Sequence, residues 1–233
     1  MPFDSNISNT TTYDYSISNN DGTLNSGVYW NNSGILGGSI VFPEGRLSED
    51  YITIGTGTEF SDVCVNGCTL ATWTYATDGT TDKNIIARSD SDNSNEFFRF
   101  LVNNAERLTF DLDDDGNITT GLCRSRTAAG TFALNTWQHV IGVWNKSDII
   151  TYINGVQSNI SACTITITTG VNGWGDSENT FVGAFDDSST TDEWNGTIDQ
   201  VLILNTSLTA TQVSNLYSNL SSIFYTKYYN III

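Results

Sequence analysis

The chain has 233 residues, of which 12% are aromatic and only 15% charged, and its formal net charge is −17 at pH 7. That length suits one large β domain with a substantial core, or two small ones, and a single domain is expected because sandwiches of this size commonly fold as one unit. The charge repels nucleic acid and anionic membranes at long range, and it is compatible with metal cations, basic partners or plain solubility.

Thr, Ser, Asn and Gly dominate the rest of the composition. Such a chain relies on burying Trp, Tyr, Phe, Ile and Val rather than on helix-stabilising ion pairs, so an all-β fold is predicted. The start Met1-Pro2-Phe3-Asp4 lacks the basic residues and apolar segment of a secretion signal. The nearest approach to a membrane span, Ile231-Ile232-Ile233, is far too short for one. Localisation therefore rests on the cysteines. Cys64 and Cys68 bracket Val-Asn-Gly, a turn suited to a small disulfide loop. Cys123 and Cys163 lie near the ends of predicted strands and suit a bridge between distant parts of a sandwich. An even set of cysteines in such a chain points to an oxidising compartment, extracellular or at the cell surface. One Cys-x₃-Cys with two lone cysteines and a single histidine makes a poor zinc set. Asn-x-Ser/Thr sequons fall at Asn6, Asn9, Asn31, Asn117, Asn145, Asn159, Asn195, Asn205 and Asn219. With Ser and Thr this frequent, chance alone supplies roughly six, so they permit a glycosylated surface without establishing one.

In chain order, residues 4–33 are loop-rich, punctuated at Asp14-Tyr15-Ser16 and Asn19-Asn20-Asp21-Gly22 and anchored by Tyr13, Tyr15, Val28, Tyr29 and Trp30. Strands are predicted over 37–42, 50–55, 69–77, 84–88, 96–102 and 106–112. In 69–77, Leu70, Thr72, Thr74 and Ala76 alternate with Ala71, Trp73 and Tyr75. Trp137, His139, Ile141 and Val143 alternate likewise with Gln138, Val140, Gly142 and Trp144. Asn154-Gly155 between strand formers is the strongest short-range hairpin signal. One helix is predicted near 209–217, with Thr209 and Gln212 forming a capping box and Val213, Leu216 and Tyr217 on one face. After Leu220, residues 223–233 read as a strand. It opens a following domain or is donated to a neighbouring subunit.

These motifs in this order resemble the laminin G-like, concanavalin A-like jelly-roll domains of microbial cell-surface proteins. The residues that carry the resemblance are Asp50-Tyr51-Ile52-Thr53-Ile54-Gly55, Leu70-Ala71-Thr72-Trp73, Trp137-Gln138-His139-Val140, Tyr152-Ile153-Asn154-Gly155, Phe181-Val182-Gly183, Gly196-Thr197-Ile198-Asp199-Gln200-Val201 and Leu208-Thr209-Ala210. The match runs from about residue 4 to 220. The resemblance implies a two-sheet antiparallel sandwich over 1–220, with 221–233 as a strand or linker, in a secreted or surface-anchored protein that serves adhesion or carbohydrate binding. It departs from the usual pattern at Phe42-Pro43-Glu44-Gly45-Arg46, where an Asp-rich turn is common. The resemblance also implies one structural calcium ion where the N-terminal loop meets the 198–199 strand, held by Asp14, Asn19 and Asp199 with backbone groups near Gly38. In the alternative reading Asp14 and Asn19 cap turns and Asp199 accepts hydrogen bonds inside the sheet.

Catalysis by this architecture requires two carboxylates across a cleft, and the Glu-x-Asp-x-x-Glu set of related glycosidases is missing from the sequence. His139, in phase with apolar neighbours, reads as a packed histidine rather than a general base. Asp111-Leu112-Asp113-Asp114-Asp115-Gly116-Asn117 imitates an EF-hand opening, but Leu122 stands where the bidentate Glu belongs. A turn between strands 106–112 and 117–123 explains the same residues. The ligand surface is expected in loops that pair an aromatic ring with polar groups, at Trp174, Asp176, Asp187 and Trp194; in the alternative reading the two Trp rings pack at the edge of the sandwich. The chain thus reads as a non-catalytic recognition module for glycan or a cell-surface protein. The alternative is a structural subunit that self-assembles through 223–233.

Overall fold

Period-two alternation with bulky residues on both sides of a strand demands cover on both faces. The structure, a computed structural model, meets that demand with two sheets and a helix; it describes residues 1, 3, 10–43, 50–89, 96–114, 122–167, 178–186 and 192–218. Sheet one is antiparallel, in the spatial order β1 (Thr11–Thr12), β2 (Gly22–Leu24), β5 (Ile52–Thr56), β14 (Asn179–Val182), β7 (Lys83–Ser89), β8 (Glu96–Val102), β9 (Leu108–Leu112) and β10 (Cys123–Arg126). Sheet two runs β13 (Val156–Ala162), β12 (Asp148–Ile153), β11 (Gln138–Trp144), β6 (Cys68–Ala76), β15 (Gly196–Leu204), β4 (Ser39–Phe42) and β3 (Tyr29–Asn31). This is the two-sheet antiparallel sandwich that the alternation predicts.

The main core lies between the sheets. Phe98, Phe100, Phe110 and Leu112 of sheet one meet Phe42, Val140, Trp144 and Ile198 of sheet two. Gly142 faces the same layer, and a Cβ there would lie 2.8 Å from the Phe110 ring, so the missing side chain lets the large ring approach the strand. The opposite side of β11 and its neighbours carries a second, smaller core. Ala71, Ile141, Val143, Ile150, Leu202 and Leu204 are covered by Leu208 and by Val213 and Leu216 of α1 (Ala210–Ser218). The predicted capping box forms: the Thr209 amide donates to Gln212 Oε1 at 2.8 Å and the Gln212 amide to Thr209 Oγ1 at 3.3 Å. His139 packs in this second core rather than between the sheets, with its ring stacked on Tyr217 and tilted against Trp73.

The Asn154-Gly155 hairpin joins β12 and β13. Both residues take positive φ, 50° and 77°, as the favoured two-residue hairpin turn requires. β9 pairs with β10 in the register Leu112↔Cys123, so Asp111–Asn117 leads into a hairpin rather than an EF-hand. The described part of the second strand is Cys123–Arg126, and the predicted start at 117 falls within residues 115–121, which lie outside the described residues. The predicted strand at 223–233 and the boundary at 220 also lie outside them.

Both disulfides form as paired in the sequence reading, Cys64–Cys68 and Cys123–Cys163. The second ties β10 of sheet one to the residue that follows β13 of sheet two. It closes the same seam at which Ser125 and Thr151 share a 3.2 Å hydrogen bond. Among the described residues no helix is long and apolar enough to cross a membrane.

Candidate functional site

The two outer faces of the sandwich differ in chemistry. Sheet two is covered by the apolar side of α1, whereas the outer face of sheet one carries polar side chains on regular strands. Leu108, Phe110 and Leu112 of β9 point inward. Alternation therefore turns Thr109 and Asp111, with Arg107 just before the strand, outward. Register places Arg124 of β10 and Arg99 of β8 beside Asp111, and Arg126 beside Thr109. Four of the nine Lys and Arg residues of the chain thus share one face.

Their partners are unequal. Arg99 is fully engaged: its Nε donates to Asn84 Oδ1 at 2.9 Å, it pairs with Asp192 at 3.4 Å and Asp82 at 3.7 Å, and it lies over the Phe185 ring. Arg124 holds Asp111 in a two-point contact, Nε to Oδ1 at 2.6 Å and a second amino group to Oδ2 at 2.5 Å. Arg126 makes one side-chain hydrogen bond, from Nε to Thr109 Oγ1 at 3.3 Å, and Arg107 one to the Thr127 carbonyl, also at 3.3 Å. Neither has a carboxylate partner among the described residues. Burial lowers the Arg126 pKa from its ordinary value, and the Arg124 and Arg107 charges lower it further against the pull of Asp111 and Asp82. A guanidinium this basic stays charged, so Arg107 and Arg126 carry positive charge with no carboxylate in ion-pair contact among the described residues, while Arg99 and Arg124 are paired with Asp82, Asp192 and Asp111. At the end of this face, Arg99, Asp111, Asp113 and Leu122 border a shallow surface dent.

The residues singled out in the sequence meet different fates. Trp174, Asp176 and Asp187 lie outside the described residues. Trp194 is a correction. It is 0% exposed, and its ring packs edge-on against Phe132 in the main core, so it offers no face to a sugar. Asp14 accepts from the Ser16 amide and hydroxyl and from the Asn20 amide, which fixes its own turn, and exposed Asn19 takes positive φ in that turn. Asp199 Oδ2 accepts from the Ile35 and Leu36 amides at 2.9 and 3.2 Å and holds the 34–37 loop. Gly38 packs against the Trp30 indole, whose Nε1 donates to the Phe3 carbonyl at 2.8 Å. Asp14 and Asp199 thus each hold backbone amides through a carboxylate oxygen, and among the described residues no three acidic, His or Cys groups gather to hold a metal.

Of the described sequons, Asn145 and Asn205 are exposed and Asn31 is half-buried, with its Oδ1 accepting from the Ser33 amide. The Asn159 carboxamide sits 3.1 Å from Ser125 Oγ at the inter-sheet seam, and Asn195 Nδ2 donates to Asp78. Asn6, Asn9, Asn117 and Asn219 lie outside the described residues. The sequence reading missed Arg107, Arg124 and Arg126. The available signal was Cys-Arg-Ser-Arg, two like charges at strand spacing in a chain poor in basic residues.

The fold recurs in solved structures of low sequence identity, which show the fold alone. Domain 4 of the extracellular arabinanase AbnA from Geobacillus stearothermophilus, solved with arabinotriose, matches with TM-score 0.63 at 16% identity, over 90% of this chain and 98% of that one. The carbohydrate-binding domain of the Ruminococcus gnavus intramolecular trans-sialidase, bound to α2,3-sialyllactose, matches with TM-score 0.57 at 11% identity, over 73% and 97%. The binding domain of botulinum neurotoxin serotype G matches with TM-score 0.64 at 16% identity over 90% of this chain, which spans 49% of that domain. No curated protein matches the sequence. The family model of the laminin G type described as the concanavalin A-like lectin/glucanase superfamily matches residues 46–214. The chain is a jelly-roll sandwich that belongs to the concanavalin A-like lectin/glucanase superfamily.

Proposed function

We propose that the chain is a non-catalytic glycan-recognition module of an extracellular or cell-surface protein. The outer face of sheet one and the adjoining loops form its ligand surface. The observation that carries this reading is the asymmetry of the sandwich: the middle of one outer face, on β6, β11, β12 and β15, is covered by α1, and the other carries arginines held at fixed positions on β8 and β10 and just before β9. Sugar hydroxyls are recognised by such pre-positioned donors and acceptors, because groups already ordered lose little entropy on binding. Superfamily membership and the likeness to two domains solved with bound saccharides support the same reading. The two disulfides suit an oxidising compartment. Catalysis is left out of the proposal because the Glu-x-Asp-x-x-Glu set is missing from the sequence.

Trp174, Asp176 and Asp187 belong to the proposed surface as loop residues that supply a stacking ring and hydroxyl acceptors. A broad glycan array tests the reading. Binding to a defined saccharide, weakened about tenfold or more by Trp174→Ala, is the expected result, since an aromatic platform contributes about 1–3 kcal/mol. Silence across the array contradicts it.

A further inference from the structure

We propose that Arg107, Arg124 and Arg126 form an anion subsite on the outer face of sheet one that takes the carboxylate of an acidic saccharide. The inference rests on the glycan-binding reading and adds to it the chemical class of the ligand.

Three observations converge on this face. First, Arg124 and Arg126 of β10 lie opposite Asp111 and Thr109 of β9, and Arg107 immediately precedes β9. Arg107 is two residues before Thr109 on the same side. Second, two of the guanidiniums on this face have no carboxylate in ion-pair contact among the described residues. Asp111 is held by Arg124, while Arg107 and Arg126 make one neutral hydrogen bond each. A guanidinium has five N–H donors in a fixed fork, so at Arg107 and Arg126 donors remain for a planar two-oxygen acceptor. Gathering like charges is unfavourable unless an anion joins them, and a chain of net charge −17 has acidic groups to spare elsewhere. Third, the platform is rigid. Cys123 immediately precedes Arg124 and is bonded to Cys163, and the Ser125 hydroxyl is tied to Thr151, so the strand carrying both arginines is pinned to the opposite sheet. A preorganised fork of this kind matches a carboxylate in two-point geometry, which a neutral sugar cannot supply.

The acidic surroundings sharpen the choice. A polyanion such as nucleic acid meets the repulsion of the whole molecule, whereas a single carboxylate on an otherwise neutral sugar needs only the short-range contact of Arg107 and Arg126.

Calorimetric titration of the full chain with a galacturonic acid oligomer, its methyl ester and a neutral arabinose oligomer tests the proposal. The variants are Arg126→Gln, Arg107→Gln and, as a charge control on a turn of sheet two, Lys146→Gln. The acidic oligomer is expected to bind more tightly than its ester, and each arginine variant to weaken that binding about tenfold. Lys146→Gln and the melting temperatures are expected to stay near wild type, because Arg107 and Arg126 hold no ion pair whose loss would unfold the strand. Equal binding of acid and ester, or undiminished binding of the acid by both arginine variants, overturns the subsite. If the neutral oligomer binds and the arginine variants leave every affinity unchanged, the glycan module stands and the anion subsite falls. If wild type binds no saccharide on the array or in titration, both fall.

Discussion

His139 is the single histidine of the chain, and it lies beneath α1 between Trp73 and Tyr217, 2% exposed. Its Nδ1 has no hydrogen-bond partner, and burial pushes its pKa down to about 3 from the usual 6.5. The folded state therefore holds the neutral ring, while the unfolded chain binds a proton below about pH 6.5. Because the folded pKa is the depressed one, this contribution to stability is fully present above pH 6.5 and is lost as pH falls toward 3. His139→Phe removes the titration, so between pH 7 and pH 5 the variant should gain about 2 kcal/mol on wild type in urea unfolding. Parallel loss of stability in the two proteins would contradict this placement of the ring. The same scale explains why Trp194 was misread. It sits in Asp192-Glu193-Trp194-Asn195, a polar stretch that reads as loop, and is buried by Phe132 and by the Gly183 carbonyl, 2.6 Å from its amide. Nothing near it in the sequence announces those distant partners.

The elements legible from sequence were those whose signals are local. The Thr209–Gln212 capping box and the Asn154-Gly155 turn are each written in a few consecutive residues, and both form. β11 was legible because bulky residues on both sides of the strand required two layers of cover. β1, β2 and β3 are two or three residues long, too short for period-two alternation to register. The arginine face depends on the register of β9 against β10, which no local pattern specifies. The disulfides act at this scale as well. Cys64–Cys68 closes a separation of 4 residues and Cys123–Cys163 one of 40. Loop-closure entropy then assigns about 2 kcal/mol to the first and about 4 kcal/mol to the second. Chemical unfolding of Cys64→Ser/Cys68→Ser and Cys123→Ser/Cys163→Ser double variants checks this. The second variant should be the less stable, and the reverse order would mean that the seam between β10 and β13 holds without its bridge.

On the scale of the whole molecule, an acidic sandwich has one outer face partly covered by a helix and one that gathers four of the nine Lys and Arg residues. The excess of carboxylates invites a calcium interpretation, but Asp14 accepts from amides of its own turn and Asp199 Oδ2 from the Ile35 and Leu36 amides of the 34–37 loop. Chelation of the purified protein should accordingly leave its melting temperature unchanged. A rise of several degrees on adding calcium would show a donor set other than these three residues. The central claim, that the outer face of sheet one binds glycan, is tested most directly by amide hydrogen exchange with and without the saccharide selected on the array. Added protection is predicted along β8, β9 and β10 and in the loops that flank them, with α1 and the strands beneath it unchanged. Protection confined to α1 and sheet two would contradict the account.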